Sequence, residues 1–330
     1  MKTERPIRVL SLPDIHGTNT YLRIWYEAAG VEPVLPIPHR LAEYQRTICN
    51  PQWLRAHRDD FDVLHVQWLY AQLPFVAFCR ALFTVRALGK RIVWTVHEVL
   101  PHDGENVAKH RAIGTLLARL ADRVVVHTAY AQAEYRRLFP ARNNVHLIGL
   151  PDYEVELTPQ AAAKARLNED RFIFLFFGHI KRYKGLDLLL SAFDPKALDA
   201  ALYVVGEFGQ GADDPVRVAQ DEVVLRTGEC SESDLDLYLS AADAIVLPYR
   251  RCYTSAALQR AEQHGKALVL SREVARTMTG MHHHAQVFDG PDHIAAALLA
   301  ARQGPGGPGP RSFRNIEDAL YRAELAALYV

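Results

Sequence analysis

Two groups of side chains have types and spacing that could do chemistry. In FFGHIKRYKG (residues 176–185) three cations, Lys181, Arg182 and Lys184, follow an apolar run and end on Gly185. A lysine and glycine at the mouth of a helix put a point charge beside free N–H groups and the positive end of the helix dipole, which suits an anion. YTSAALQRA (residues 253–261) repeats the device, with Thr254 or Ser255 as N-cap and small alanines, Ala256 first, that let a ligand approach the backbone amides. Two such helix starts in one half of the chain suit a diphosphate. Arg250 and Arg251 add to the same cationic set.

The other group lies in the first half: His16, His97, Glu98, His102, Asp103 and His127, among aromatic and small residues. Imidazoles and carboxylates of this kind orient hydroxyls or move protons. The bland alternatives are a solvated face for the cations and satisfied core positions for the histidines. His65, His146 and His264 are read in that bland way. His97 stands apart because it follows an apolar strand and precedes an acid. HHH (residues 282–284) has no carboxylate at ligand spacing, and no metal site is expected. GEFGQG (residues 206–211) does not match the dinucleotide spacing, so no NAD is expected, and the absence of GxSxG gives a hydrolase no support.

The elements that must position these groups alternate. IRVLSL, VLHVQW, RIVWTV, RVVVHT and VHLIGL read as strands in the first half, and RFIFLFF, ALYVVG, EVVLRT, DAIVLPY and KALVLS in the second, with helical patterns between. Their continuous apolar character fits a parallel sheet covered on both faces. PDYEVELTP (residues 151–159) breaks the rhythm as a link. The chain is thus α/β, with two Rossmann-like parallel-sheet halves. In such sheets ligands bind beyond the carboxyl ends of the strands, and both groups of side chains fall there. Ser231, three residues before Asp234, reads as a variant capping box. QGPGGPGP (residues 303–310) reads as a loop or tether, followed by a terminal helical pattern.

At 330 residues, with 49% hydrophobic and 23% charged, two folded domains are expected. Lys plus Arg and Asp plus Glu are both 38, so nothing in the global charge favours nucleic acid. Cys49, Cys79, Cys230 and Cys252 are scattered and read as reduced thiols of a cytoplasmic protein. The first residues lack the apolar length of an export signal. The apolar stretch at residues 73–85 is too short to span a membrane and reads as a buried amphipathic helix, with peripheral membrane contact as its alternative use.

Taken in order, these stretches resemble a glycosyltransferase of the GT-B fold, most similar to the family 4 type. FFGHIKRYKGLDLLLSAF, ADAIVLPYRRCYTSAALQRAEQHGKALVLS, DVLHVQW, VWTVHEVLPHDGE and LADRVVVHT carry the resemblance over almost the whole chain. It implies an acceptor-side domain at residues 1–152, a nucleotide-sugar donor domain at 153–311, an interdomain cleft, and a helix at 312–330 that crosses back to the first domain. It implies transfer of a sugar from a nucleoside-diphosphate sugar to a saccharide, lipid-linked or other small acceptor, in polysaccharide or glycoconjugate biosynthesis, retaining, and without a metal.

By the same resemblance Lys184 contacts the donor diphosphate, with Arg182 or Lys181 doing the work of an arginine where this chain has His179. Thr254, Ser255 and Ala256 offer hydroxyl and amides to the distal phosphate, Gly17 lets backbone approach it, and His97 lies beside the transferred sugar. An inverting enzyme would need a base, for which Glu98 and Asp103 are placed. Cys252 and Arg260 stand where many relatives carry two glutamates, so the ribose contact is either lost or supplied differently, by Arg260 itself, Glu262 or Glu229. A nucleotide-sugar epimerase of the same fold and a non-catalytic sugar-nucleotide-binding subunit are the alternatives.

Overall fold

A computed structural model describes residues 5–13, 20–38, 40–68, 73–139, 144–209, 223–228, 230–278, 284–311 and 318–330. The chain forms two compact units, Met1–Tyr153 with Arg314–Val330, and Glu154–Phe313. In the first unit β1 (Arg8–Leu12), β2 (Glu32–Val34), β3 (Val63–Val66), β4 (Arg91–Val96), β5 (Arg123–Val126) and β6 (Val145–Leu147) form one sheet in the order β2-β1-β3-β4-β5-β6. In the second, β7 (Phe172–Phe177), β8 (Ala200–Gly206), β9 (Val223–Thr227), β10 (Ala244–Leu247), β11 (Ala267–Ser271) and β12 (Ala285–Phe288) take the order β12-β11-β10-β7-β8-β9. All pairings within both sheets are parallel.

Strands such as β3 and β10 are buried at every residue, as their unbroken apolar runs require. Two edge strands, β2 and β12, have no counterpart among the apolar runs that read as strands. Pro33 sits inside β2 and is tolerated because β2 pairs with β1 on one side only.

Each strand order reverses at one point, between β1 and β3 in the first sheet and between β10 and β7 in the second. There the connecting helices leave on opposite faces and open a crevice at the carboxyl edge. The residues after β7 and β10 are Gly178 and Pro248, so the KRYKG and PYRR loops are brought together. Gln67, His97 and His127 are the first residues after the adjacent strands β3, β4 and β5.

The helix Ala319–Ala326 belongs to the first unit. Asp318 caps it, accepting from the Leu320 and Tyr321 amides. Tyr321, Leu325, Leu328 and Tyr329 are buried with Leu22, Trp25 and Tyr26 of the helix Thr20–Ala29. In the second unit the link is pinned from Glu156 onward. The Glu156 N–H donates to Asp236 at 2.7 Å and the Thr158 N–H to Ser240 Oγ at 3.2 Å. The glycine and proline-rich segment is likewise held: the Gly309 N–H donates to the Gly265 carbonyl and the Arg311 N–H to that of Gln263. Ser231 caps the helix Glu232–Ala241, accepting from the Asp234 N–H at 3.1 Å, and its hydroxyl donates to the Asp234 carboxylate at 2.6 Å, which is the first half of the capping box.

Candidate active site

In the second unit the two cationic loops are stitched together. The Arg250 N–H donates to the Tyr183 carbonyl at 2.8 Å. The Arg250 guanidinium donates to the Arg182 carbonyl at 2.8 Å and pairs with both oxygens of Asp187. Arg250 is thus a brace rather than an anion ligand, which corrects its place in the cationic set. Residues 182–184 form a short 3-10 turn and hand over at Gly185, at φ 72°, to the helix Leu186–Ala192. A Cβ on Gly185 would collide with the Pro248 carbonyl, so both its dihedral and the close approach demand glycine. Gly185→Ala is expected to cost about 1–3 kcal/mol and to weaken anion binding; an unchanged thermal melt would refute the stitching.

The loop after β7 is also fixed from the β8 side. The Ile180 N–H donates to the Glu207 carbonyl at 2.7 Å and the Gly209 N–H to that of Ile180 at 2.9 Å. Gly206 lies so close to the Gly178 carbonyl that a Cβ there would collide with it. Gly206 therefore serves this contact, and needs no dinucleotide to explain it. His179 Nδ1 lies 3.6 Å from Glu207. Burial and neighbouring Lys181 hold the His179 pKa below its usual value.

Between these braced loops sits Lys184. Its amine lies over Gly178 and 5.4 Å from the Tyr249 ring centroid. No carboxylate pairs with it among the described residues. Burial, then the charge of Lys181, lower its pKa to about 8. A cation held in this way is still mostly charged at neutral pH and is short of an anion. Lys181 and Arg182 are exposed on the same loop. Ser255 caps the helix Ala256–Gln263, its Oγ accepting from the Leu258 N–H at 3.1 Å. That leaves the remaining first-turn amides, those of Ala256 and Ala257, for a ligand. Thr254 is half-buried and Ala256 exposed beside it.

The ribose candidates fare differently. Arg260 is 5% exposed, and its guanidinium pairs with Asp236 at 2.7 Å and with Glu232. It joins two helices, and the assignment of Arg260 to a nucleotide is corrected on that ground. Glu262 lies at the far end of the helix from Ser255; burial raises its carboxyl to about 7, with the charge of Arg311 opposing. Its position likewise corrects the ribose reading. Gly17, His16, Glu229, His282 and His283 lie outside the described residues.

In the first unit His97 stands in an aromatic ring. Its imidazole meets Tyr21 and Trp68 edge-on, at 5.1 and 4.9 Å between centroids, and His127 at 5.1 Å. His97 Nε2 is 2.8 Å from Gln67 Oε1. Burial keeps its pKa well below the ordinary imidazole value, with His127 and His65 adding to the effect. His127 is held at about 4 by burial against the opposing Ile148 carbonyl. The ring can therefore exchange hydrogen bonds as a neutral group. Glu98 is turned onto its own loop, accepting from the His102 N–H at 3.2 Å, and Asp103 caps a turn by accepting from the Glu105 N–H at 2.8 Å. Among the described residues no cluster of three His, Cys, Asp or Glu could hold a metal ion.

Residues 12–150 match Glycosyltransferase Family 4, and residues 171–303 match Glycosyl transferases group 1. A D-inositol 3-phosphate glycosyltransferase 1 from Catenulispora acidiphila is 28% identical over 222 residues, which cover 58% of this chain and 51% of that protein. The match thus spans about half the length of that relative. Sucrose-phosphate synthase from Thermosynechococcus elongatus superposes with a TM-score of 0.70 at 17% identity, covering 98% of this chain and 95% of that one. Anabaena HepE, solved with UDP-glucose, gives 0.67 at 12% identity over 98% and 93%. These structures share the fold.

Proposed function

Because the chain belongs to the glycosyltransferases of the GT-B fold, its halves matching family 4 and group 1, we propose that it moves a sugar from a nucleoside-diphosphate sugar to a saccharide or lipid-linked acceptor. The observation that carries the donor half is Lys184, a desolvated cation that has no carboxylate partner among the described residues, at the strand-order reversal of the second unit. A diphosphate leaving group gains charge as its bond to the sugar breaks. Lys184, the exposed Lys181 and Arg182, and the first-turn amides after Ser255 are fixed in place before that charge develops, which is where electrostatic stabilisation is worth most. These cations take the place a metal would fill in a charge-stabilising role, and we propose none.

In the retaining course, the acceptor oxygen bonds to the anomeric carbon on the face the diphosphate leaves. The acceptor proton passes to a phosphate oxygen, so no carboxylate base is required. The loop-internal bonds of Glu98 and Asp103 accord with that course. His97 takes a sugar hydroxyl. The four cysteines are all free, in keeping with a cytoplasmic setting. No described helix is long and apolar enough to cross a membrane. Phe75, Val76 and Phe83 are exposed on the helix Phe75–Ala87, and that face is the candidate for peripheral contact with a lipid-linked acceptor's membrane.

Titration with a panel of nucleoside-diphosphate sugars, UDP-glucose included, followed by incubation with acceptors with and without anionic vesicles, tests the reading. Ser255→Ala is expected to weaken donor binding about threefold to tenfold, the worth of one hydrogen bond. Absence of donor binding by the native protein rejects the proposal, and donor turnover without any acceptor would instead support an epimerase.

A further inference from the structure

The imidazole of His97 has two nitrogens, and which of them carries the proton decides whether it gives or takes a hydrogen bond. The polar groups buried behind it settle that question. Ser11 Oγ–H donates to the Pro13 carbonyl, so at 2.8 Å from the Tyr26 hydroxyl it can only accept, and the Tyr26 proton is used there. Trp25 Nε1–H, which can only donate, gives its proton to the Tyr329 oxygen at 2.9 Å. Two hydroxyls face His65 Nδ1, Tyr329 at 2.8 Å and Tyr26 at 3.1 Å, and with the Tyr26 proton given to Ser11 it is Tyr329 that donates. With Nδ1 accepting, the proton of His65 resides on Nε2 and is donated to Thr95 Oγ1 at 2.9 Å. The Gln67 carboxamide, 1% exposed, has its nitrogen 3.5 Å from His65 Nδ1. With that nitrogen's one lone pair taken by Tyr329, the amide NH2 is only a long second contact on the same side, and Oε1 faces His97 Nε2 at 2.8 Å. An oxygen there requires a proton on His97 Nε2.

We infer that Gln67, held by His65 and Tyr329, is a positioning residue that fixes His97 as the Nε2–H tautomer and leaves Nδ1 as an acceptor for a sugar hydroxyl. Tyr329, the last residue but one of the described chain, thereby helps to set the donor and acceptor sense of the site through two buried side chains. The effect on turnover rests on the proposed transferase reading; the tautomer itself does not.

The test uses the full-length protein with 15N-labelled histidine and long-range imidazole spectra at pH 7.5. His97 of the native protein should show a protonated Nε2 and a bare Nδ1. Gln67→Leu, similar in volume but without the amide, should mix the two His97 tautomers and lower turnover about tenfold or more, while UDP binding stays within twofold. Tyr329→Phe, which keeps the ring, should move the His97 signal in the same direction. Gln67→Glu, which puts a charge at the same nitrogen, should move the titration of His97 upward with His127, Tyr21 and His65 left around it. A native His97 that is charged or protonated on Nδ1, or a tautomer unchanged in Gln67→Leu, or a His97 titration unmoved in Gln67→Glu, overturns the inference. Failure of every nucleoside-diphosphate sugar of the panel to bind the native protein would overturn the transferase reading and leave the tautomer result standing.

Discussion

Lys184→Met is expected to raise the melting temperature of the second unit and to abolish donor binding in the same protein. Burial lowers the lysine from its ordinary value of 10.5 to about 8, with Lys181 adding to the effect. A folded pKa below the unfolded one means that folding disfavours the proton. At pH 7 both states hold it, so its full cost is present; the cost is relieved as pH rises from about 8 toward 10.5, where the unfolded chain binds more protons. Allowing for the partial exposure of the side chain, removing that charge should return about 1–2 kcal/mol, or about 2–6 °C for a unit of this size. Methionine can fill the stem's place beside Tyr249. Donor affinity should fall about a hundredfold, because a charge-assisted contact is lost from a desolvated site.

The pH dependence has the opposite sign for binding. A diphosphate raises the pKa of Lys184, so native donor affinity should hold below pH 8 and then drop about tenfold per pH unit, a limb that vanishes in Lys184→Met. Calorimetric titrations between pH 6.5 and 9.5 would show it. A methionine variant that melts lower, or that still binds donor natively, would remove Lys184 from the site.

How far this site could be read from sequence depends on whether a residue's partner is local. Lys184 and Gly185 were legible because a lysine, a glycine and a helix follow in order, and the strand-order reversal then sets them against the turn after β10. Ser255 was legible for the same local reason. Arg250 and Arg260 were not, since a cation at a strand end looks the same whether it meets a ligand or a carboxylate. Asp187 lies 63 residues from Arg250, and Asp236 lies 24 from Arg260. Gln67 was passed over because an amide does not titrate. Its signal was position: it follows β3 as His97 follows β4 and His127 follows β5. β2 was missed because three residues containing a proline offer no period to detect.

Deletion of residues 319–330 is expected to unfold the first unit while leaving the second intact. Tyr321, Leu325, Leu328 and Tyr329 are 0–1% exposed and close the face of the helix Thr20–Ala29. Burying four such side chains contributes roughly 6–12 kcal/mol, comparable with the total of about 5–15 kcal/mol that holds a whole domain together. The loss is also polar. Trp25 Nε1 and His65 Nδ1 would each lose the Tyr329 hydroxyl, and the Arg91 guanidinium would lose the Tyr329 carbonyl at 2.7 Å. The core of the second unit is built, among the described residues, from positions 163–301 and draws nothing from this segment. Hydrogen exchange should therefore show protection lost over residues 8–147 and kept over 172–301, with donor still bound and turnover gone. Tyr329→Phe keeps the packing and loses only the hydroxyl, so it should melt within a few degrees of native and show the tautomer effect alone. Retained protection across β1 to β6 in the deletion would mean that the first sheet closes without the terminal helix, and the relay through Tyr329 would then be an accessory to that fold rather than part of its core.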